Sequence, residues 1–295
     1  MKIKLIVYYL KKYTPWHLKI IIKIILSKLP CTYSVWRKIG IFKPGCMDQA
    51  DYSLKVFYKH LDLINIKKEK LYGKTLIEIG PGDSLASALI ASSIGAKIIL
   101  IDVGYFAIND AEFYKKMARE LREKGCNVPH ISHCKTVADM LVTLNAKYFT
   151  DGINSFKKIE NESIDIIFSN ATLEHVRKRS FLSLIKEMRR VLKTNCYSSH
   201  TVDLQDHFNN SLNHLRFSEY VWESKLFSSS GFYTNRMSIS EISSCFHNAG
   251  FDYNIVNKTE WEKMPLSISK LNAQFRNREK KDLLISSFDI VTVKK

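Results

Sequence analysis

The sequence predicts an α/β protein whose parallel sheet is covered by helices on both faces, and three stretches carry that prediction. Leu76-Ile-Glu-Ile-Gly80-Pro-Gly82-Asp-Ser84 is an apolar run holding a carboxylate, then two glycines one residue apart, leading into the small, apolar stretch Leu85 to Ile94. It reads as strand, tight turn and helix. Lys97 to Ile101 is a second apolar run, ending at Asp102, so two parallel strands joined by a helix each bring an acid to their tip. Ser163 to Asn170 is a third, followed by a helical face of Phe181, Leu184, Ile185, Met188, Val191 and Leu192. Strand and helix alternating in this way build a parallel sheet with two helical layers.

With 295 residues, 45% hydrophobic and 12% aromatic, the chain can bury a sizeable core, which excludes a disordered protein. No internal repeat and no Pro-rich or Gly-rich linker divides it. Residues 1–70 read as a helical N-terminal lid, and 71–295 as one domain with an insertion at about 200–238. Leu18 to Leu29 is an apolar run interrupted by Lys19, Lys23 and Lys28, too short and too charged to span a bilayer. No small-residue cleavage site follows Pro30, against a signal peptide. Its spacing makes a helix with a narrow polar stripe and a broad apolar face. Such a helix either packs on the domain or rests in the plane of an anionic membrane, with Trp16 and the lysines at the headgroups.

After a break at Lys43-Pro-Gly45, the segment Asp51 to Leu63 places Leu54, Phe57, Tyr58 and Leu61 on one helical face. Beyond Asp102, helices are predicted over 109–124 and 137–144, and a short strand over Ala146 to Phe149. Further on, Ile239 to Ala249 reads as a helix stopped by Gly250, and Phe251 to Val256 and Phe288 to Val293 as strands.

Glycines in the first turn let a ligand lie against the backbone, and Asp83 or Ser84 can cap the helix that follows. An acid about 20 residues beyond a glycine turn is where dinucleotide folds hold a ribose hydroxyl pair, so Asp102 implies a nucleoside-containing cofactor. The GxGxxG fingerprint would need glycine where Leu85 stands, which argues against a nicotinamide dinucleotide. Glu78-Ile-Gly80-Pro-Gly82-Asp-Ser84 instead resembles motif I of the class I S-adenosylmethionine-dependent methyltransferases, with Ser84 in place of its last glycine. Ser169-Asn170-Ala-Thr-Leu-Glu-His175 resembles the strand end that runs beneath the transferred methyl group in that class. The wider pattern, Trp36-Arg-Lys-Ile-Gly-Ile-Phe42 and Gly45-Cys-Met-Asp48 included, is similar to a bacterial group associated with surface polysaccharide synthesis.

The resemblance implies a Rossmann-like, doubly wound, mostly parallel sheet with an antiparallel last strand, and S-adenosyl-L-methionine as cofactor. On its terms Glu78 acts through the turn and the methionine amino group. Gly80 and Gly82 leave the cofactor space in the loop completed by Asp83 and Ser84, and Asp102 accepts from both ribose hydroxyls. Asp151 and Gly152 lie near the adenine, Asn170 where the methionine end meets the acceptor, and His175 packs beneath the cofactor.

Transfer to a hydroxyl needs alignment and a base for its proton. Ser198-Ser-His200-Thr-Val-Asp203-Leu-Gln-Asp206-His207 follows a strand at the ligand end of the sheet and opens the long insertion. His207 is the favoured base with Asp206 beside it and His200 the runner-up, and Asp203 or Asp206 could orient one of them. A polar network tying the insertion to the sheet, or a divalent metal among the same four residues, would use them too; their spacing does not select a metal. Arg216 and Arg236 could hold an acceptor phosphate or carboxylate, and Trp222 and Tyr233 could stack on a sugar.

The net charge of +16 favours an anionic partner. The leading expectation is O-methylation of a sugar or glycolipid in cell-envelope glycan synthesis, in the cytoplasm or at the inner face of the membrane. A nucleic-acid methyltransferase is the alternative, weakened because Ser169-Asn170-Ala-Thr172 stands where amino-methylating enzymes carry [ND]PP[YF]. A non-catalytic S-adenosylmethionine-binding protein is a third. Six cysteines, among them Cys31, without CxxC spacing read as reduced thiols.

Overall fold

A computed structural model describes residues 14–28 and 46–295. The break at Lys43 to Gly45, Cys31 and the Trp36 to Phe42 pattern lie outside the described residues. Seven strands form one sheet in the order β3-β2-β1-β4-β5-β7-β6. They are β1 (Thr75–Ile79), β2 (Lys97–Ile101), β3 (Ala146–Phe149), β4 (Ile164–Asn170), β5 (Leu192–Asp203), β6 (Phe251–Glu260) and β7 (Ile285–Lys294). The pairs β1–β2, β1–β4, β2–β3 and β4–β5 are parallel, whereas β7 runs antiparallel to both β5 and β6. The strand order reverses direction at β1, between β2 and β4, which in open α/β sheets is where a ligand crevice opens at the strands' carboxyl ends.

The longer helices are α1 (Trp16–Lys28), α2 (Ala50–Leu63), α3 (Ala86–Ser93), α4 (Ala111–Glu123), α5 (Val137–Thr143), α6 (Lys178–Val191) and α7 (Ile239–Asn248). Alternation along the central strands feeds two cores, one on each face. Leu76, Ile98 and Leu100 pack with Phe57 and Leu61 of α2, Leu89 and Ile90 of α3, and Met117 and Leu121 of α4. Ile77, Ile79 and Ile101 pack on the opposite face with Phe181, Ile185 and Met188 of α6 and Ile242 and Phe246 of α7. Strands buried on both faces are apolar along most of their length, which is why β1 and β2 were legible as apolar runs, with the buried Glu78 the exception in β1.

The helix after the glycine turn begins at Ala86 with Leu85 as its N-cap, one or two residues later than a cap at Asp83 or Ser84 would give. Ser84 Oγ does accept the Ala86 N–H, at 3.2 Å, but as part of a longer turn. Within the segment expected as a lid, α2 is built into the sheet's own core through Phe57 and Leu61. β6 runs four residues beyond the predicted strand, to Glu260.

Between β5 and α7 the chain makes three helical turns, Asn213–Arg216, Glu219–Trp222 and Lys225–Ser228. Residues 261–284, for which the sequence carries no clear pattern, pack against the first of them. Leu266, Leu271, Phe275 and Leu283 cluster with Leu212 and Leu215. A second cluster joins Phe208, Trp222, Phe232 and Tyr233 of the insertion to Ile20 of α1. Among the described residues no helix is long and apolar enough to cross a membrane.

Candidate active site

The glycine turn leaves β1 with Gly80 at φ +73° and Gly82 at φ +69°, a left-handed backbone that side chains resist. Gly80 N–H donates to the Ile101 carbonyl at 2.8 Å, which fastens the turn to the end of β2. A Cβ on Gly80 would collide with the Thr172 side chain, so the residue is also required for the approach of the β4 tip. Asp83 and Ser84 are fully buried. They shape the loop from within, the Asp83 carbonyl accepting the Ile108 N–H at 2.9 Å; neither presents its side chain to solvent.

Glu78 lies buried on β1 with Oε2 lacking a hydrogen-bond partner. Burial, helped by the charge of Asp102 and opposed by the Ser87 hydroxyl, pushes its carboxyl up to about 8. A buried carboxylate without a partner is costly, and an ammonium group arriving from a ligand would resolve that cost. Asp102, at the end of β2, is half-buried and takes the Val103 N–H on Oδ1 at 2.7 Å. Burial raises it to about 6 against the amides of Val103 and Gly82.

Gly152, at φ +55°, donates its N–H to the Asp102 carbonyl at 2.8 Å. The Asp151-Gly152 turn is therefore held beside Asp102, and the Asp151 side chain pairs with Lys158 at 2.8 Å. At the tip of β4, Asn170 is followed by Ala171 at φ +49°, whose N–H reaches the Thr201 carbonyl at 2.9 Å. A non-glycine residue in this region stores strain and persists only where its surroundings impose it. Glycine turn, β2 end, β3 exit and β4 tip are thus mutually pinned along one edge of the sheet.

The insertion brings His207 against His175. Their rings stack with centroids 5.0 Å apart and the Nε2 atoms at 3.3 Å. His175 Nδ1 lies 2.7 Å from the Tyr233 carbonyl, and a carbonyl only accepts, so the proton of the neutral ring is on Nδ1 and Nε2 carries a lone pair. His207 Nε2 then donates to it, and His207 Nδ1 is the nitrogen left with a lone pair. Burial, then the neighbouring His175, Lys23 and His214, push His207 down to about 3, with Asp206 opposing. Burial lowers His175 as well.

The other acid–base candidates are engaged. His200 is fully buried, Nδ1 paired with Ser169 Oγ and Nε2 with Ser198 Oγ, both at 2.8 Å. Burial, then His60, hold it down to about 3. Asp206 accepts the amides of Phe208, Asn209 and Asn213 at 2.7–2.8 Å and the Asn213 side-chain amide at 3.0 Å. It folds the loop that carries His207. Asp203 takes the Gln205 N–H at 2.9 Å and is raised chiefly by burial. Among the described residues no three His, Cys, Asp or Glu side chains converge as metal ligands do.

Trp222 is fully buried, its Nε1–H bonded to the Thr234 carbonyl at 2.7 Å, and the Tyr233 hydroxyl donates to Glu223 at 2.7 Å. Neither has a face for a sugar, because both are core of the insertion. Arg236 is buried against the Phe217 carbonyl at 2.7 Å and Glu219 at 2.6 Å. Arg216 stays partly exposed, its guanidinium 4.9 Å from the Trp16 ring centroid.

His60 on α2 was missed. Its Nδ1 pairs with Ser199 Oγ at 2.9 Å and its ring lies 5.3 Å from Phe168, beside Asn170. Glu174, buried with neither carboxyl oxygen bonded, was missed too. Nothing local marks either residue, since only the packing of distant segments buries them.

Residues 55–255 match the family model described as a methyltransferase domain. No curated protein matches the chain significantly. Among solved structures, phosphoethanolamine N-methyltransferase 2 of Haemonchus contortus, with S-adenosyl-L-methionine bound, is similar at 14% identity and a TM-score of 0.42, over 76% of this chain and 49% of that one. This chain therefore spans about half the length of that protein. The YcgJ protein of Bacillus subtilis is similar at 17% identity and a TM-score of 0.42, covering 80% of this chain and 99% of its own. An S-adenosylmethionine-dependent methyltransferase of Methanosarcina mazei has 17% identity and a TM-score of 0.44, over 75% and 92%. Likenesses at this level carry no argument about the acceptor. With residues 55–255, well over half of its length, matched by the family model, the chain belongs to the methyltransferase domain family.

Proposed function

We propose that the chain O-methylates a hydroxyl of a sugar or glycolipid in cell-envelope glycan synthesis, working at the inner face of a membrane. The observation that carries this reading is the His175–His207 pair. Bound S-adenosyl-L-methionine supplies an electrophilic methyl group, so the protein has to place a hydroxyl and take its proton. His207 Nδ1 is the atom for that proton, with His175 and the Tyr233 carbonyl fixing the tautomer. A low pKa does not disqualify it. The hydroxyl proton becomes strongly acidic as its oxygen gains a bond, and a ring held neutral always has its lone pair available.

On the cofactor side, Glu78 takes the amino group and Asp102 the ribose hydroxyls. Gly80 and Gly82 let the backbone approach, with Asp83 and Ser84 holding the turn's shape. Asp151 and Gly152 border the base, and Asn170 the transferred group. The basic charge supports a phosphorylated acceptor such as a nucleotide sugar or lipid-linked glycan; it would suit nucleic acid equally, which keeps that reading as the second.

Calorimetric titration with S-adenosylhomocysteine and with NADH, on wild type and Asp102→Ala, tests the cofactor side. Expected is binding of the former alone, weakened at least about tenfold by the substitution, the scale of losing a hydrogen-bonded charge. Labelled-methyl transfer to nucleotide sugars, lipid-linked glycans, DNA and RNA tests the acceptor. Label on nucleic acid only would sink the glycan reading.

A further inference from the structure

We infer that α1 docks on an anionic lipid surface. A surface helix ordinarily turns its aliphatic side chains to the core and its lysines to water. α1 does the reverse. Lys19 Nζ donates to the Phe208 carbonyl at 2.8 Å and to Asn209 Oδ1 at 2.6 Å, and Lys23 Nζ to the His207 carbonyl at 3.1 Å. Ile20, on the same side, is buried in the cluster of Phe208, Trp222 and Phe232. At about 100° per residue, Leu18, Ile21, Ile22 and Ile25 then share the opposite side. They are 43%, 52%, 40% and 57% exposed.

Four adjoining aliphatic side chains in water mark a surface made for cover. The charge around them says what covers it. Residues 1–47 hold nine lysines, one arginine and not one aspartate or glutamate, a local excess that anionic headgroups attract. A neutral protein partner would have no use for it, and a second copy of this chain would be repelled by it. At 13 residues and a rise of 1.5 Å each, α1 is about 20 Å long, short of the roughly 30 Å hydrocarbon core, so it lies in the plane of the interface.

Because Lys19 and Lys23 grip the backbone at His207 to Asn209, a docked α1 holds the loop that bears His207 about 10 Å, one helix diameter, above the lipid surface. This gives the membrane contact in the proposed function its surface and rests on that reading only for its purpose. The two are separable, since lipid binding is measured without cofactor or acceptor.

The test is co-sedimentation of the full chain with vesicles of phosphatidylcholine, with and without phosphatidylglycerol, at low and high salt. The variant is Ile21→Ser with Ile25→Ser; circular dichroism of the same samples reports the fold of each, and S-adenosylhomocysteine titration reports the cofactor site. Expected is pelleting with phosphatidylglycerol vesicles at low salt, reduced by salt and cut about tenfold or more by the double substitution. Wild type left in the supernatant at low salt overturns the inference. So does salt-sensitive pelleting that the double variant retains, which would make the lysines alone responsible. A wild-type dimer in sedimentation velocity that the double variant dissolves would assign the face to a second copy, and overturn it as well. Failure to bind S-adenosylhomocysteine would count against the cofactor residues and leave the lipid result standing.

Discussion

His200 and His207 come from one short stretch of sequence, yet they differ in what decides whether a ring can accept a proton. His200 has both nitrogens occupied by serine hydroxyls in the sheet, a chain that continues from Ser198 to Thr292 at 2.7 Å on β7. Removing it takes a partner from two buried hydroxyls, Ser169 and Ser198, and leaves a cavity, so His200→Ala should cost about 3 kcal/mol in denaturant unfolding while the folded fraction keeps its turnover. His207→Gln should do the opposite, leaving the unfolding midpoint within about 0.5 kcal/mol and lowering kcat about 100-fold or more. With His207 held down to about 3, kcat should be level from pH 8 to about pH 5, with no acid limb near the ordinary histidine value of about 6.5. A single-proton loss of activity centred there would remove His207 as the base. The sequence offered both histidines because polar residues at a strand's end are a local signal. Which was walled in depended on Ser169 and Thr292, 31 and 92 residues away along the chain, and no local pattern reaches that far.

At the scale of elements, the glycine turn, β1, β2 and β4 were readable because each is specified by its own residues: apolar runs buried on both faces, and glycines in left-handed turns. The insertion was not. Trp222 and Tyr233 look like binding aromatics in a polar segment, but they are the core of a small lobe that closes only when α1 and residues 207–233 meet. The same holds where α2 meets the antiparallel end of the sheet. Asp289 on β7 accepts from Lys59 at 2.7 Å, Thr201 at 2.6 Å and Asn257 at 2.9 Å, joining α2, β5 and β6 through one carboxylate. These bonds, outweighing its burial, hold its carboxyl below the usual range. Asp289→Ala should cost about 3 kcal/mol, seen as a lower denaturant midpoint at unchanged slope. A cost under about 0.5 kcal/mol would mean that water replaces the carboxylate without loss.

For the molecule as a whole, buried titratable groups set the pH dependence of stability in two opposed ways. His60, His200, His207 and His214 are pushed down to about 3 by burial, so the unfolded chain binds more protons than the folded one below about pH 6.5, and stability falls on acidification. Glu78 goes the other way. Raised to about 8, it binds a proton in the folded state that the unfolded chain has lost, so its cost grows from about pH 4.5 to 8. Glu174, raised well above the ordinary value by burial, adds to this. Above pH 6.5 the histidines are silent and the carboxyls act alone. The protein without cofactor should therefore lose about 1 kcal/mol per pH unit through Glu78 between pH 6.5 and 8. Glu78→Gln should flatten that slope in thermal melts, and an unchanged slope would place the ionised form elsewhere. The strand order has its own consequence, in time. β5 lies between β4 and β7, and β6 touches the sheet only through β7, so during synthesis β5 keeps an open edge and β6 has no place to attach until β7 has left the ribosome. A nascent chain stalled before Ile285 would carry the glycine turn, Asp102 and the parallel half of the sheet, together with a bare β5 edge open to any strand that passes, which makes the interval before β7 emerges the one in which this fold is most in need of a chaperone.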